Sequence, residues 1–233
     1  MISLAIMSPA YTGYIVSDIC DTLFYANTTF DFIRFCIRKQ KIPAKTIRIY
    51  QLFQSRKSPF FYALALLQKI SGKDHLKARA LKLFKGVSTK EMEQWAEEFY
   101  AEDLSNLKIR QTHELLSRFD NEKIILASST IEPVALIISK KLSANHYVAT
   151  SLEIKDNVYT GRIQCDLTGE KTKAVEAIIP HSEIISVAMS DNHTDRLLLE
   201  KAIQKIAICY KKSDVQFWKK MPGVTILMVS KKH

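Results

Sequence analysis

The chain has 233 residues, 47% hydrophobic and 25% charged, with a formal net charge of +10. That is the balance of a soluble globular protein, long enough for one large domain or two small ones. No segment approaches the roughly 18 to 20 apolar residues of a membrane span, so no membrane-spanning helix is expected. The basic excess favours anionic partners: phosphorylated metabolites, nucleic acid or acidic lipid headgroups. The basic residues are scattered, with no stripe interleaved with aromatics, which argues against nucleic acid and leaves contact with an anionic membrane surface open. The four cysteines, Cys20, Cys36, Cys165 and Cys209, form no metal-ligand pair and read as free thiols of a reducing compartment. The apolar start MISLAIM has no basic residues before it and is too short for a secretory signal, so the expected location is cytoplasmic.

In chain order, Ile15-Val16 predicts a short strand that delivers Asp18 to its carboxyl end, with Thr22 in the following turn. An acid there is costly to desolvate unless something uses it. Residues 28 to about 107 then read as helix throughout. Segments are expected near 28–37, 46–53, 60–70 and 76–84, and the capping box Ser88-Thr-Lys-Glu91 opens another with Met92, Trp95, Ala96 and Phe99 on one face. The aromatics Phe30, Phe32, Phe35, Phe60, Phe61 and Tyr62 read mostly as core between packed helices, a few lining a pocket for an apolar or lipid-like phosphate ester.

From about Arg110 the pattern alternates. Strands are predicted at 123–127, 146–150, 184–189, 206–210 and 224–229, with a hairpin over 151–164 turning at Asp156-Asn157. Helices are predicted near 110–119, 133–142, 170–179 and 195–203. This is an α/β fold: a Rossmann-like parallel sheet core with an all-helical cap inserted after the first strand. The core is assigned to 1–28 and 108–233, the cap to 29–107. Ligands of such sheets gather at the carboxyl ends of the strands, where Asp18, Ser128 and Asp191 fall.

Ser128, in LASST, precedes a helix whose backbone N–H groups suit an anion. Lys171 stands near a predicted helix start, and Asp191 and Asp195, in SDNHTD, offer the carboxylates a hard cation such as Mg²⁺ requires. The order of these motifs resembles the haloacid-dehalogenase superfamily, and within it the phosphoserine-phosphatase-like branch with a helical cap after the first motif. Asn27-Thr-Thr-Phe-Asp-Phe-Ile at the cap entrance and Tyr147-Val-Ala-Thr before Thr160-Gly-Arg extend the resemblance.

The resemblance implies a small phosphorylated substrate and Mg²⁺. It makes Asp18 the nucleophile, forming an aspartyl-phosphate, with Ser128 and Ser129 beside the phosphoryl oxygens and Lys171 bracing them. Mg²⁺ is expected on Asp18, the backbone carbonyl of Cys20 and Asp191, with Asp195 binding or orienting that shell. Thr22 and Asn27 join the substrate-binding set.

The sequence departs from that pattern where the phosphatases carry Asp-x-Asp-x-Thr: here it reads Asp18-Ile-Cys20-Asp21-Thr22. The second Asp normally protonates the leaving group and activates water, and a thiol suits neither role well. Asp21 is adjacent but one residue off. Slow hydrolysis, a phosphate-ester-binding protein without turnover, and a metal-free dehalogenase all stay open, the last disfavoured by the retained Asp191 and Asp195. Two smaller choices stay open as well: Lys173 competes with Lys171, and Asn27 stands where phosphoserine phosphatases use Glu to read an ammonium, which weakens phosphoserine as substrate.

Overall fold

The computed structural model describes residues 13–43, 47, 74–119 and 123–230. The helices expected at 46–53 and 60–70, with Phe60, Phe61 and Tyr62, lie outside the described residues apart from Ile47. A seven-stranded sheet forms the centre, built from β1 (Tyr14–Ser17), β2 (Lys123–Ile131), β3 (His146–Lys155), β4 (Val158–Cys165), β5 (Ile185–Ser190), β6 (Gln204–Cys209) and β7 (Val224–Met228). Their order is β4-β3-β2-β1-β5-β6-β7, parallel except for the antiparallel β3–β4 pair. The chain builds outward from β1 through β2 to β4, then returns to β1's other edge with β5. The carboxyl end of β1 is therefore the topological switch point, where an α/β sheet opens a crevice.

Both faces of the sheet are covered, as β-branched strands without polar alternation demand. Tyr14 and Val16 point to one face, joining Ala188, Val175, Leu198, Leu199 and Trp218 in one buried cluster. The helices there are α6 (Lys171–Glu176), α7 (Arg196–Glu200) and α8 (Lys212–Trp218). Ile15 points to the other face, into a larger cluster with Leu126, Ile137 and Val187. That cluster also takes residues from α1 (Thr28–Arg38), α3 (Thr89–Glu102) and α5 (Glu132–Lys141).

Between β1 and β2 the described chain holds α1, α2 (His75–Leu81), α3 and α4 (Arg110–Leu116), with no strand among its described residues longer than an isolated bridge. The helical insertion read from the sequence is present. Four of its described aromatics are core: Phe32, Phe35, Phe84 and Phe99 are all at most 1% exposed. Phe32 packs 5.5 Å from Phe84 and 5.6 Å from Phe99, centroid to centroid. Each such ring contributes about 1.5–3 kcal/mol by leaving water. The insertion thus shares one continuous apolar cluster with a sheet face.

The predicted capping box forms at Ser88 and Glu91. Two elements differ from the sequence reading. β2 runs to Ile131, four residues beyond the expected end, and α8 has no counterpart among the predicted helices.

Candidate active site

At the end of β1 the Asp18 N–H still donates to Met189 O of β5 at 2.9 Å, so the backbone is tied to the sheet where the side chain leaves it. Asp18 is 3% exposed. Lys171, the first residue of α6, places Nζ 3.0 Å from Asp18 Oδ1 and 2.6 Å from Asp195 Oδ2. Ser190 Oγ donates to the same Asp195 oxygen at 2.7 Å. The rival Lys173 is exposed and pairs with Glu170 instead. Lys171 is the lysine at the site.

Burial opposes the Lys171 ammonium, yet the Asp18 and Asp195 carboxylates outweigh it and hold Lys171 above the usual lysine range. Burial raises Asp18, with Lys171 pulling the other way. Burial, then the charges of Asp18 and Asp21, pushes Asp191 up to about 8. Thr22 is spent on Asp191: its hydroxyl donates to Asp191 Oδ1 at 3.2 Å and accepts from the Asp191 N–H at 3.0 Å. Asp21 sits in a left-handed turn (φ 48°) with its carbonyl accepting from the Tyr210 hydroxyl at 2.5 Å. Its charge lies beside Asp191, and it is not among the residues lining the cavity described next.

A cavity of about 230 Å³ opens over Asp18. Lys171, Cys20, Asn27, Ser128 and Ser129 line it, with Phe30, one of the aromatics from which a few pocket-lining residues were expected; Thr29, Asp74, Lys77, Thr130 and Thr168, which were not assigned to the site from sequence, line it too. Asn27 is exposed at its mouth and caps α1, accepting from the Phe30 N–H at 3.3 Å. Pairing between β2 and β3 is interrupted between Ala127 and Ile131. This irregularity takes Ser128, Ser129 and Thr130 off the ladder at the cavity. Cys20 Sγ lies 3.0 Å from Thr28 Oγ1 and 3.8 Å from Ser128 Oγ. Thr28 in turn donates to Thr130 Oγ1 at 2.7 Å. Burial and the neighbouring Asp18 charge push the Cys20 thiol up to about 11, so this wall is neutral.

The only trace of Thr28 and Thr29 in the sequence was their place in the Asn27-Thr-Thr segment, and Lys77 had no signal, being one lysine among many on a helix.

Among the described residues, no three His, Cys, Asp or Glu side chains gather closely enough to hold a metal ion by themselves. The remaining donor set is two carboxylates, Asp18 and Asp191, and backbone oxygen. Asp18 Oδ1 is buried and ion-paired but makes no hydrogen bond. A buried carboxylate oxygen met by the Lys171 ammonium, beside a second carboxylate raised by burial and by the Asp18 and Asp21 charges, makes a pair that a hard cation relieves. The residues fit such an ion.

A seven-stranded α/β sheet with an acid at its switch point and a lysine bridging two acids is the frame of a hydrolase superfamily. The family model for haloacid dehalogenase-like hydrolase matches residues 15–200, and the chain belongs to that family. Among solved structures, a protein of unknown function from Bordetella pertussis Tohama I is similar over 93% of this chain and 98% of its own, at 19% identity and TM-score 0.65. A substrate-bound phosphoserine phosphatase is similar over 96% of this chain and 95% of its own, at 17% identity and TM-score 0.56. Cytosolic 5'-nucleotidase IIIB bound to cytidine is similar over 94% of this chain and 80% of its own, at 13% identity and TM-score 0.59. These are likenesses of fold. No curated protein matches the sequence. No helix among the described residues is long and apolar enough to cross a membrane.

Proposed function

We propose that this protein is a Mg²⁺-dependent phosphatase of small phosphate monoesters, working through an aspartyl-phosphate on Asp18, with residues 29–107 as its cap. The observation that carries this reading is the Asp18 carboxylate, buried at the switch point, ion-paired to Lys171 and facing a cavity that Ser128 also lines. Asp18, the carbonyl of Cys20 and Asp191 would hold Mg²⁺, which when bound neutralises negative charge on the phosphoryl oxygens. Asp195 acts one step back, accepting from the Lys171 ammonium and from the Ser190 hydroxyl.

An Asp18 oxygen attacks phosphorus and the ester P–O bond breaks. Lys171 and the Ser128 hydroxyl stabilise charge on the transferred group. Water then attacks phosphorus, releasing inorganic phosphate and restoring the carboxylate. The Cys20 thiol, pushed up to about 11, is a far weaker acid than the carboxyl it replaces, and in this reading the leaving alkoxide takes its proton from solvent. Esters with acidic leaving groups are therefore the better substrates. Asn27 brings no charge to the mouth of the cavity, which points away from phosphoserine, the substrate class of the similar phosphatases.

Cys20 also favours a second reading, a phosphate-ester-binding protein without turnover. One assay separates the two: p-nitrophenyl phosphate hydrolysis with Mg²⁺ or EDTA, with mass spectrometry of the quenched protein for a phosphoryl group on the Asp18 peptide. Turnover that needs Mg²⁺ and vanishes in Asp18→Asn is expected. A wild type with neither turnover nor label, beside an active Cys20→Asp, would overturn the phosphatase reading in favour of binding.

A further inference from the structure

Lys77 is as buried as Lys171, 4% exposed in each case, but comes from α2 in the insertion rather than from the core. A buried ammonium costs several kcal/mol unless its three donors are met. Lys77 Nζ donates to Ser129 O at 3.0 Å, Thr150 Oγ1 at 2.9 Å and Asp166 Oδ1 at 2.8 Å. The three acceptors belong to three segments: the irregular end of β2 that carries Ser128, the middle of β3, and the turn after β4 that leads to Lys171.

That turn is built on the same atoms. Asp166 Oδ1 accepts from the Thr168 N–H at 3.1 Å and its hydroxyl at 2.8 Å. Thr150 Oγ1 accepts from the Leu167 N–H at 3.3 Å. Behind α2 the insertion is pinned to the β3–β4 hairpin by backbone bonds, Gly86 N–H to Tyr159 O at 2.8 Å and Thr89 N–H to Asn157 O at 2.9 Å. From that fixed base Lys77 reaches into the cavity wall, with all three donors spent on protein.

We infer that Lys77 is a positioning residue, a latch through which the docked insertion holds the Ser128 segment and the Lys171 turn in register around one phosphoryl group. Its catalytic consequence rests on the phosphatase reading; its structural consequence does not. Withdrawal of α2 would remove the cation and leave Ser129 O, Thr150 and Asp166 to water, loosening both anion-binding segments together. The two segments are thus held in register only while α2 is docked.

Hydrogen exchange by mass spectrometry on the full chain tests this, reading peptides over 128–131, 166–170 and 185–190 in wild type, Lys77→Met, Lys77→Arg and Asp166→Asn. Steady-state kinetics on p-nitrophenyl phosphate with Mg²⁺ run beside it. In Lys77→Met, exchange should speed up about tenfold or more in the first two segments and stay unchanged in 185–190. Its kcat should fall about tenfold or more, by a larger factor than any rise in KM. Lys77→Arg should restore part of both, and Asp166→Asn should loosen 166–170 more than 128–131. A folded Lys77→Met with wild-type exchange at 128–131, or with kcat within about twofold of wild type, overturns the latch. If Lys77→Met does not fold, unchanged exchange over 166–170 in Asp166→Asn overturns it instead. A wild type without turnover would sink the phosphatase reading alone, because the exchange comparison still decides the latch.

Discussion

Two walls of one cavity start from neighbouring residues and end in opposite chemistry. On one, Asp18, Lys171, Asp195 and Ser190 form a chain of charged contacts of 3.0 Å or less, with Asp191 close enough to feel the Asp18 charge. On the other, Cys20 meets Thr28, Thr130 and Ser128 through a thiol and hydroxyls that carry no charge. In the proposed mechanism the charged wall binds and attacks a phosphoryl group. The neutral wall has no carboxyl to shuttle a proton near pH 7. A site can therefore keep its nucleophilic half while its acid–base half is replaced by packing, because different backbone segments hold the two.

The charged wall is broken most severely at Lys171. Lys171→Met leaves Asp18 and Asp195 buried without their shared cation, which costs about 3–5 kcal/mol when one partner of a buried pair is removed. Phosphatase activity should fall about 10²–10³-fold, the scale of losing a preorganised charge-stabilising donor. Kinetics and urea unfolding at pH 7.5 check the two effects separately. Lys173→Met, an exposed neighbour, should change neither.

The neutral wall is tested by restoring charge. Cys20→Asp should raise kcat about 10²-fold or more on an alkyl phosphate, the range of general acid–base help. On p-nitrophenyl phosphate, whose leaving group needs no proton, the gain should be much smaller. Equal gains on both substrates would show that Cys20 limits something other than leaving-group protonation.

A third prediction separates the walls by pH. Asp191 is pushed up to about 8, above the roughly 3.9 of an unfolded Asp, so the folded state holds its proton more tightly. Without divalent cation, that proton's contribution is fully present below about pH 4 and is lost as pH rises toward about 8. Asp191→Asn, which cannot ionise, should therefore be more stable than wild type in EDTA at pH 8, by a few degrees in Tm, with the difference narrowing at pH 5 and closing only below about pH 4. Adding Mg²⁺ should raise the wild-type Tm and leave the variant's nearly unchanged.

The charged wall was legible in the sequence because each member sits where an element starts or stops. Asp18 ends an apolar strand, Lys171 opens a helix, and Asp191 follows Ser190 at the end of β5. Val175, on the apolar face of α6, is fully buried and turns Lys171 inward, while Lys173 falls on the solvent side. The neutral wall was less legible, since Thr28, Thr29 and Thr130 carry no periodicity or charge and acquire a role only when β2 leaves its ladder beside α1. Lys77 was illegible for a related reason: three acceptors more than 50 residues downstream in the chain define it. α8 escaped because it is seven residues long with one fully buried position, Trp218, too little for a helical pattern.

The smallest expected effect probes how the neutral wall is held. Thr28 Oγ1 stands between Cys20 Sγ and Thr130 Oγ1, so Thr28→Val removes two hydrogen bonds while nearly conserving shape. Among the described residues the Thr130 hydroxyl keeps only Thr29 at 3.3 Å and the thiol only Ser128 at 3.8 Å, so losing both bonds should cost about 1–3 kcal/mol, measured by urea unfolding. Activity should barely change, because the thiol has no step in the proposed chemistry. In the Cys20→Asp background the same substitution should cost activity, since Thr28 would then orient a working carboxylate. A large activity loss from Thr28→Val alone would mean that the thiol–hydroxyl chain takes part in catalysis, and the contrast between the two walls would have to be redrawn.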